Sequence, residues 1–375
     1  MAGDTEMNEV GRVRVGILFG GQSAEHEISI LSARNVLAAL DPARFEPVLI
    51  GIDKSGRWLI QDAQTLLESA KDPRLVRIEP GPPAQLPSTF AASDDGSAPV
   101  RGPIDVVFPV LHGTLGEDGA VQGLLEVAGI PYVGAGILGS AIGMDKDVAK
   151  RLLREAGLPI TDFRTMRRGS YDADPVRSCR ELAVLGFPMF VKPCNAGSSV
   201  GVSKVRDPAE LENAVRGAFE FDTKILAEAA VTGREIEIAV LGGTPVAVSV
   251  AGEIIVEHPD GFYSYDAKYI DDHGVKYDVP ARLTPEQQTQ VQQLALEVFE
   301  VLECEGMARV DLFLRPDGQF LVNEINTLPG FTAISMYPKL WAHSGLSQAE
   351  LVTRLIELAL QRARSRGALR RSIDR

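Results

Sequence analysis

The stretch that constrains this chain most is "ARVDLFLRPDGQFLVNEIN", Ala308 to Asn326. Apolar and polar residues alternate on both sides of Asp317-Gly318, a dipeptide suited to the positive backbone angles of a tight hairpin. Side chains of the two strands therefore take turns on two faces. If Asp317 and Gly318 alone form the loop, Asp311 stands opposite Glu324 and Arg309 opposite Asn326, with Cβ atoms about 4.5–5.5 Å apart. If Pro316 joins a three-residue bulged loop, the register slips by one and Glu324 turns to the other face. The apolar alternation fits both. Facing carboxylates repel unless a cation or a shared proton lies between them, and Asp, Glu and Asn oxygens together suit Mg²⁺ held jointly with substrate phosphates. The plain alternative is a hairpin of solvated acids. Favouring the site is the continuation "NEINTLPGFTAIS", a shaped loop that would bring Asn326, Ser335 and backbone groups beside the cation.

A second informative stretch is "VKPCNAGSSVGVSKV", Val191 to Val205, which reads as strand, loop and strand. It is not a P-loop, because the spacing differs and no helix pattern follows directly. Lys192 leaves the first strand, Gly197 and Gly201 allow close backbone approach, and Ser198 with Ser199 can build a phosphate nest. A flexible hairpin tip is the plain alternative. In "GGQSAEHEIS" a glycine pair opens a helix without G-x-G-x-x-G, so a dinucleotide cofactor has little support. Glu25 there either favours the helix dipole or grips a substrate ammonium group. "HGTLGEDGAVQG" places His112 at the end of a strand, where α/β sheets bind ligands, although a lone histidine is more often structural. "FYSYDAKYI" sets Lys268 among tyrosines, in the manner of a lid over charged ligand groups.

Between these stretches, the first third alternates strand and helix signals, which predicts a parallel sheet covered on both faces. Residues 80–103 read as a Pro-, Ser- and Gly-rich surface excursion. The spacing predicts helices over Asp145–Ala156, from Asp207-Pro208, from Thr284-Pro285, and after Ser347 with Glu350 as its capping partner. With 375 residues the chain divides into three α/β segments with boundaries near 134 and 232. A net charge of −13 argues against nucleic acid or an anionic membrane as partner. Three cysteines without C-x-x-C spacing give neither a disulfide framework nor a thiolate metal site. Nothing resembles a signal peptide or a membrane span, so the expected location is the cytoplasm.

Eight stretches in order, the six quoted in part or whole above together with "GMDK" and "GREIEIAVL", resemble the ATP-grasp superfamily and, within it, the D-alanine–D-alanine ligase family. The similarity runs from Val13 to about Ala359. It implies an α/β, three-domain ATP-grasp architecture: an N-terminal parallel-sheet substrate domain (1–134), a central domain with the Gly-Ser phosphate loop (135–231), and a C-terminal domain with the metal and substrate sites (232–375). The implied chemistry is ATP-driven ligation of two D-alanines through a D-alanyl phosphate, with two Mg²⁺ or Mn²⁺ ions, in a cytoplasmic homodimer serving peptidoglycan synthesis.

On that pattern Lys146 and Lys192 hold ATP phosphates, Glu228 and Glu235 the adenine and ribose. Ser198 closes over the site, Lys268 reaches the transferring phosphate from a lid, and Asp311, Glu324 and Asn326 are the metal ligands, which favours the two-residue hairpin loop. Glu25 anchors the ammonium group of the first D-alanine, with His112 beside it. Arg309 and the Gly330 backbone donate to the developing oxyanion, and Ser335 with Met336 hold the second carboxylate. Tyr269 goes with D-alanine rather than D-lactate as second substrate. One departure is Ala229, where many relatives carry a lysine. Another ATP-grasp carboxylate–amine ligase is the near alternative, and a nucleotide-binding oxidoreductase the distant one.

Overall fold

The computed structural model describes residues 11–69, 72, 74–84, 104–256 and 275–370. The apolar run of β1 (Val13–Gly20) lies parallel to β2 (Phe45–Ile52). An antiparallel β3 (Trp58–Gln61) flanks β2, and β4 (Val106–Pro109) runs parallel to β1 on its other side. The order is β3-β2-β1-β4, so the sheet expected to be parallel carries one antiparallel edge. Its continuous hydrophobic strands follow from burial on both faces. Ile17 and Phe19 face a core shared with Tyr337 and Leu355 from the C-terminal helices, while Leu18 faces Val121 and Leu125.

The second sheet has the order β5-β8-β6-β7 and is antiparallel throughout: β5 (Phe163–Arg167), β6 (Met189–Pro193), β7 (Ser203–Val205) and β8 (Lys224–Ala229). The third has the order β11-β10-β9-β12-β13, also antiparallel: β9 (Arg234–Leu241), β10 (Ala247–Val256), β11 (Val275–Asp278), β12 (Met307–Leu314) and β13 (Phe320–Asn326). Helix Pro285–Val301 begins at the Thr284 capping box, and helix Gln348–Gly367 at the Ser347–Glu350 box. Helix Lys146–Glu155 precedes the second sheet in the chain, yet its Ala149 and Leu153 lie in the core of the third sheet with Ile236 and Val322.

The hairpin departs from the two-residue loop. Arg315 N–H bonds the Gln319 carbonyl at 2.9 Å, and Gly318 (φ +85°) closes a three-residue Pro316-Asp317-Gly318 turn. Near the turn Leu314 pairs with Phe320 and Leu312 with Val322, yet farther out Asp311 pairs with Glu324 and Arg309 with Asn326. The extra residue is Asn323, and it forms a bulge. Val322 and Ile325 are thereby both buried, while Glu324 and Asn326 share a face with Arg309 and Asp311. The turn thus follows the three-residue alternative, and the bulge restores the carboxylate pairing that the two-residue loop would have made.

Candidate functional site

Two cavities meet where the three sheets converge. The larger, about 380 Å³, lies between the second and third sheets and is lined by Lys192, Glu228, Glu235, Phe313 and Asp311 among others. Adjacent strands β6 and β8 bring Lys192 beside Glu228, with Nζ 2.6 Å from Oε2. Lys150, from helix Lys146–Glu155, pairs with the other oxygen, and Glu228 is only 4% exposed. Burial alone would raise this carboxyl, but the two lysines hold it down at about 2. Burial pulls the Lys150 ammonium down. It acts on Lys192 too, but there the charges of Glu228 and Glu324 outweigh it and the shift is upward.

The smaller cavity, about 110 Å³, is bounded by Glu25, His112, Glu117, Gly143 and Gly330. Glu25 ends the turn into helix His26–Ala39, and its carboxylate is wedged between two glycines. A Cβ on Gly113 would stand 2.9 Å from Glu25 Oε2, and one on Gly197 2.5 Å. Ser198 and Ser199 both adopt left-handed backbone angles (φ 48° and 59°), which turns the loop so that Ser198 Oγ donates to Glu25 Oε1. The loop between β6 and β7 is thus docked on the first sheet's domain. His112 is buried, with Nε2 3.1 Å from Ser32 Oγ, and burial lowers its pKa despite the nearby Glu25 charge, which favours the neutral imidazole. Glu117 Oε2 accepts the Gly113 N–H at 2.8 Å, and burial, then the charge of Glu25, push its pKa well above the usual carboxylate range.

Lys146, Ser198, Arg309 and Glu324 line both cavities. Lys146 Nζ donates to the Ala196 carbonyl at 2.9 Å and lies 3.4 Å from Glu324 Oε2. Arg309 grips Asp311 in a two-point contact, Nε to Oδ1 and Nη2 to Oδ2, both 2.7 Å. Its Nε also lies 3.0 Å from Glu237 Oε2. Asn326 Oδ1 accepts the Leu328 N–H at 3.0 Å. Asp311 and Glu324 thus face each other across the hairpin, with Asn326 next on the face of Glu324 and cationic side chains against the two acids. That donor set fits a hard divalent cation. Among the described residues no group of three or more His, Cys, Asp and Glu side chains is drawn into a cage. A cation here would share its coordination with substrate phosphates.

Ser335 Oγ accepts the Thr332 N–H at 3.0 Å, and a Cβ on Gly330 would lie 2.9 Å from it. Met336 starts the next helix with its side chain buried in the first core, which leaves its backbone as the part available to a ligand. Lys268 and Tyr269 lie outside the described residues, as does residue 85 onward of the 80–103 excursion until residue 104. The sequence reading missed three site residues. Lys150 is four residues after Lys146 on one helix face, and Glu237 is two after Glu235 on one strand face. Glu117 lies within the quoted "HGTLGEDGAVQG".

Residues 14–135 match the family model described as D-ala D-ala ligase N-terminus, and residues 152–357 that described as D-ala D-ala ligase C-terminus. The chain is 52% identical to D-alanine–D-alanine ligase A of Chromobacterium violaceum, over 97% of this chain and 99% of that one. It is 49% identical to the Escherichia coli enzyme of the same name, over 96% and 99%. Among solved structures, a D-alanine–D-alanine ligase from Coxiella burnetii superposes with a TM-score of 0.78 at 39% identity, covering 95% of this chain and 96% of that one. The VanG D-Ala:D-Ser ligase from Enterococcus faecalis gives 0.77 at 36%, covering 93% and 100%.

Proposed function

The chain belongs to the D-alanine–D-alanine ligase family, has its ATP-grasp fold and joins two D-alanines with ATP for cell-wall synthesis, and from that premise we propose how its residues divide the work. The observation that carries the reading is the shared wall of the two cavities: a nucleotide in the larger one ends where an amino acid in the smaller one begins. Lys146 and Lys192 take the ATP phosphates, with Glu235 on the ribose. Glu228 meets the adenine with the acceptor capacity that its two lysines leave. Glu25 anchors the ammonium group of the first D-alanine, His112 lies beside it as a neutral imidazole, and burial favours the protonated form of Glu117.

The first D-alanine's carboxylate attacks the terminal phosphorus of ATP, the bond to ADP breaks, and a D-alanyl phosphate forms. The amine of the second D-alanine, having lost a proton, then attacks the acyl carbon, and the tetrahedral intermediate expels phosphate. Arg309 and the Gly330 backbone donate to the oxyanion, while Ser335 and the Met336 backbone meet the second carboxylate. Asp311, Glu324 and Asn326 would hold two Mg²⁺ or Mn²⁺ ions, which neutralise phosphate charge when bound. Ser198 closes the site through Glu25, so the acyl phosphate is kept from water. The family resemblance gives Lys268 the transferring phosphate as its partner and Tyr269 a preference for the dipeptide over D-alanyl-D-lactate. No protein nucleophile is required.

We place the enzyme in the cytoplasm as a homodimer; among the described residues no helix is long and apolar enough to cross a membrane. Three units are best drawn as 1–134, 135–231 and 232–375, with helix Lys146–Glu155 counted with the third core.

Incubation with ATP, Mg²⁺ and D-alanine should release phosphate and dipeptide in equal amounts. Turnover only when D-lactate is added would move the specificity to ester formation. Glu324→Gln should lower turnover roughly 100-fold or more while the circular dichroism spectrum is kept. Near-normal activity of that variant would remove the metal role from the hairpin.

A further inference from the structure

Three carboxylates stand in one row across the third sheet: Glu237 on β9 is paired with Asp311 on β12, which is paired with Glu324 on β13. Glu237 is 4% exposed, and its neighbour on the other side, Gly252 on β10, has no side chain. A buried carboxylate is costly unless a cation accompanies it. Arg309 is that cation, and its single Nε–H is approached by two anions, Asp311 Oδ1 at 2.7 Å and Glu237 Oε2 at 3.0 Å.

The same guanidinium takes both oxygens of Asp311. Asp311 cannot give those lone pairs fully to Arg309 and to a divalent cation at once. When they turn to a cation, Arg309 needs another anion, or it is left buried and uncompensated beside a second positive charge. We propose that Glu237 is the positioning residue that takes this part: it retains Arg309 over the reacting centre and so releases Asp311 to the metal. The inference rests on the reading of Asp311 as a metal donor.

The consequence is that Glu237 affects metal binding only through Arg309, which a double-mutant cycle reads without turnover. Mn²⁺ is titrated by electron paramagnetic resonance against the full-length protein with ADP present and D-alanine absent. Glu237→Gln should weaken Mn²⁺ binding by roughly tenfold, the lower end of what a lost outer-shell partner costs. In an Arg309→Met background the same change should have no effect. An equal weakening in both backgrounds, or none in the first, would overturn the proposal. Should either single variant fail to fold, the double variant leaves neither charge buried alone. It should bind Mn²⁺ at least as tightly as the wild type, and weaker binding there would make Glu237 a direct ligand instead. Asp311→Asn separates the two readings: if it leaves Mn²⁺ affinity unchanged, the metal assignment fails; if it weakens binding while Glu237→Gln does not, only the role of Glu237 fails.

Discussion

Single residues in this site are defined by the company they keep, and Glu228 is the clearest case. Between Lys150 and Lys192 its carboxyl is held at about 2, below the ordinary 4.5. A folded value below the unfolded one contributes stability that is complete above about 4.5 and is lost as pH falls toward about 2. Glu228→Gln should therefore flatten the acid limb of the stability curve, measured by urea unfolding between those limits. At neutral pH it should cost about 3–5 kcal/mol, because two ammonium groups are left without their anion. An unchanged acid limb would mean that the pairing does not persist in solution. The carboxylate was legible as a nucleotide-site residue through family resemblance. Its lysine partnership was not, because Lys150 belongs to a helix far away in the chain and reads alone as a solvated charge.

At the scale of elements, the hairpin β12–β13 shows how a local signal can be right in outcome and wrong in route. Asp317-Gly318 marks the turn, but Gly318 takes the left-handed position of a three-residue loop. Periodicity cannot say where a strand will admit an extra residue, since a bulge depends on what the sheet behind it must bury. Here Ile325 has to join Val322 in the core beneath helix Pro285–Val301, so Asn323 is the residue that gives way. Deleting Asn323 should restore a regular ladder that still sets Glu324 opposite Asp311 and keeps Ile325 in the core. The expected result is that metal-dependent turnover and melting temperature both stay close to those of the parent, measurable on one preparation. Loss of turnover would show that the local bend of the bulge, and not the pairing alone, aims the glutamate. The helix starts were easier to read: Thr284 and Ser347 carry their reciprocal capping bonds within four residues of chain.

Across the whole molecule the site exists only because separate units are clamped together. Lys224, at the start of β8, reaches Asp145 Oδ1 and Oδ2 at 2.7 and 2.6 Å and Asp147 at 3.2 Å, which ties the second sheet to the helix that presents Lys146 and Lys150. Lys224→Met should loosen that clamp, lowering stability by about 3–5 kcal/mol in calorimetry. Since Lys146 and Lys192 would lose their relative placement, ATP affinity should fall about tenfold or more. Unchanged ATP binding would show that the two lysines are placed independently. On the other side of the site, Ser198 contacts Glu25 from 173 residues away in the chain. By itself the sequence determined the α/β alternation of the first third, the helix caps at Thr284 and Ser347, the acidic hairpin, the Gly-Ser loop and the family, because each of these is written in neighbouring residues. Only the tertiary structure decided which partner meets which carboxylate: the Lys150 ammonium on Glu228, the Arg309 guanidinium between Asp311 and Glu237, and the Ser198 hydroxyl on Glu25. The physical reason is that a buried charge is stable only beside a partner, and that partner is chosen by folding between residues the chain keeps far apart.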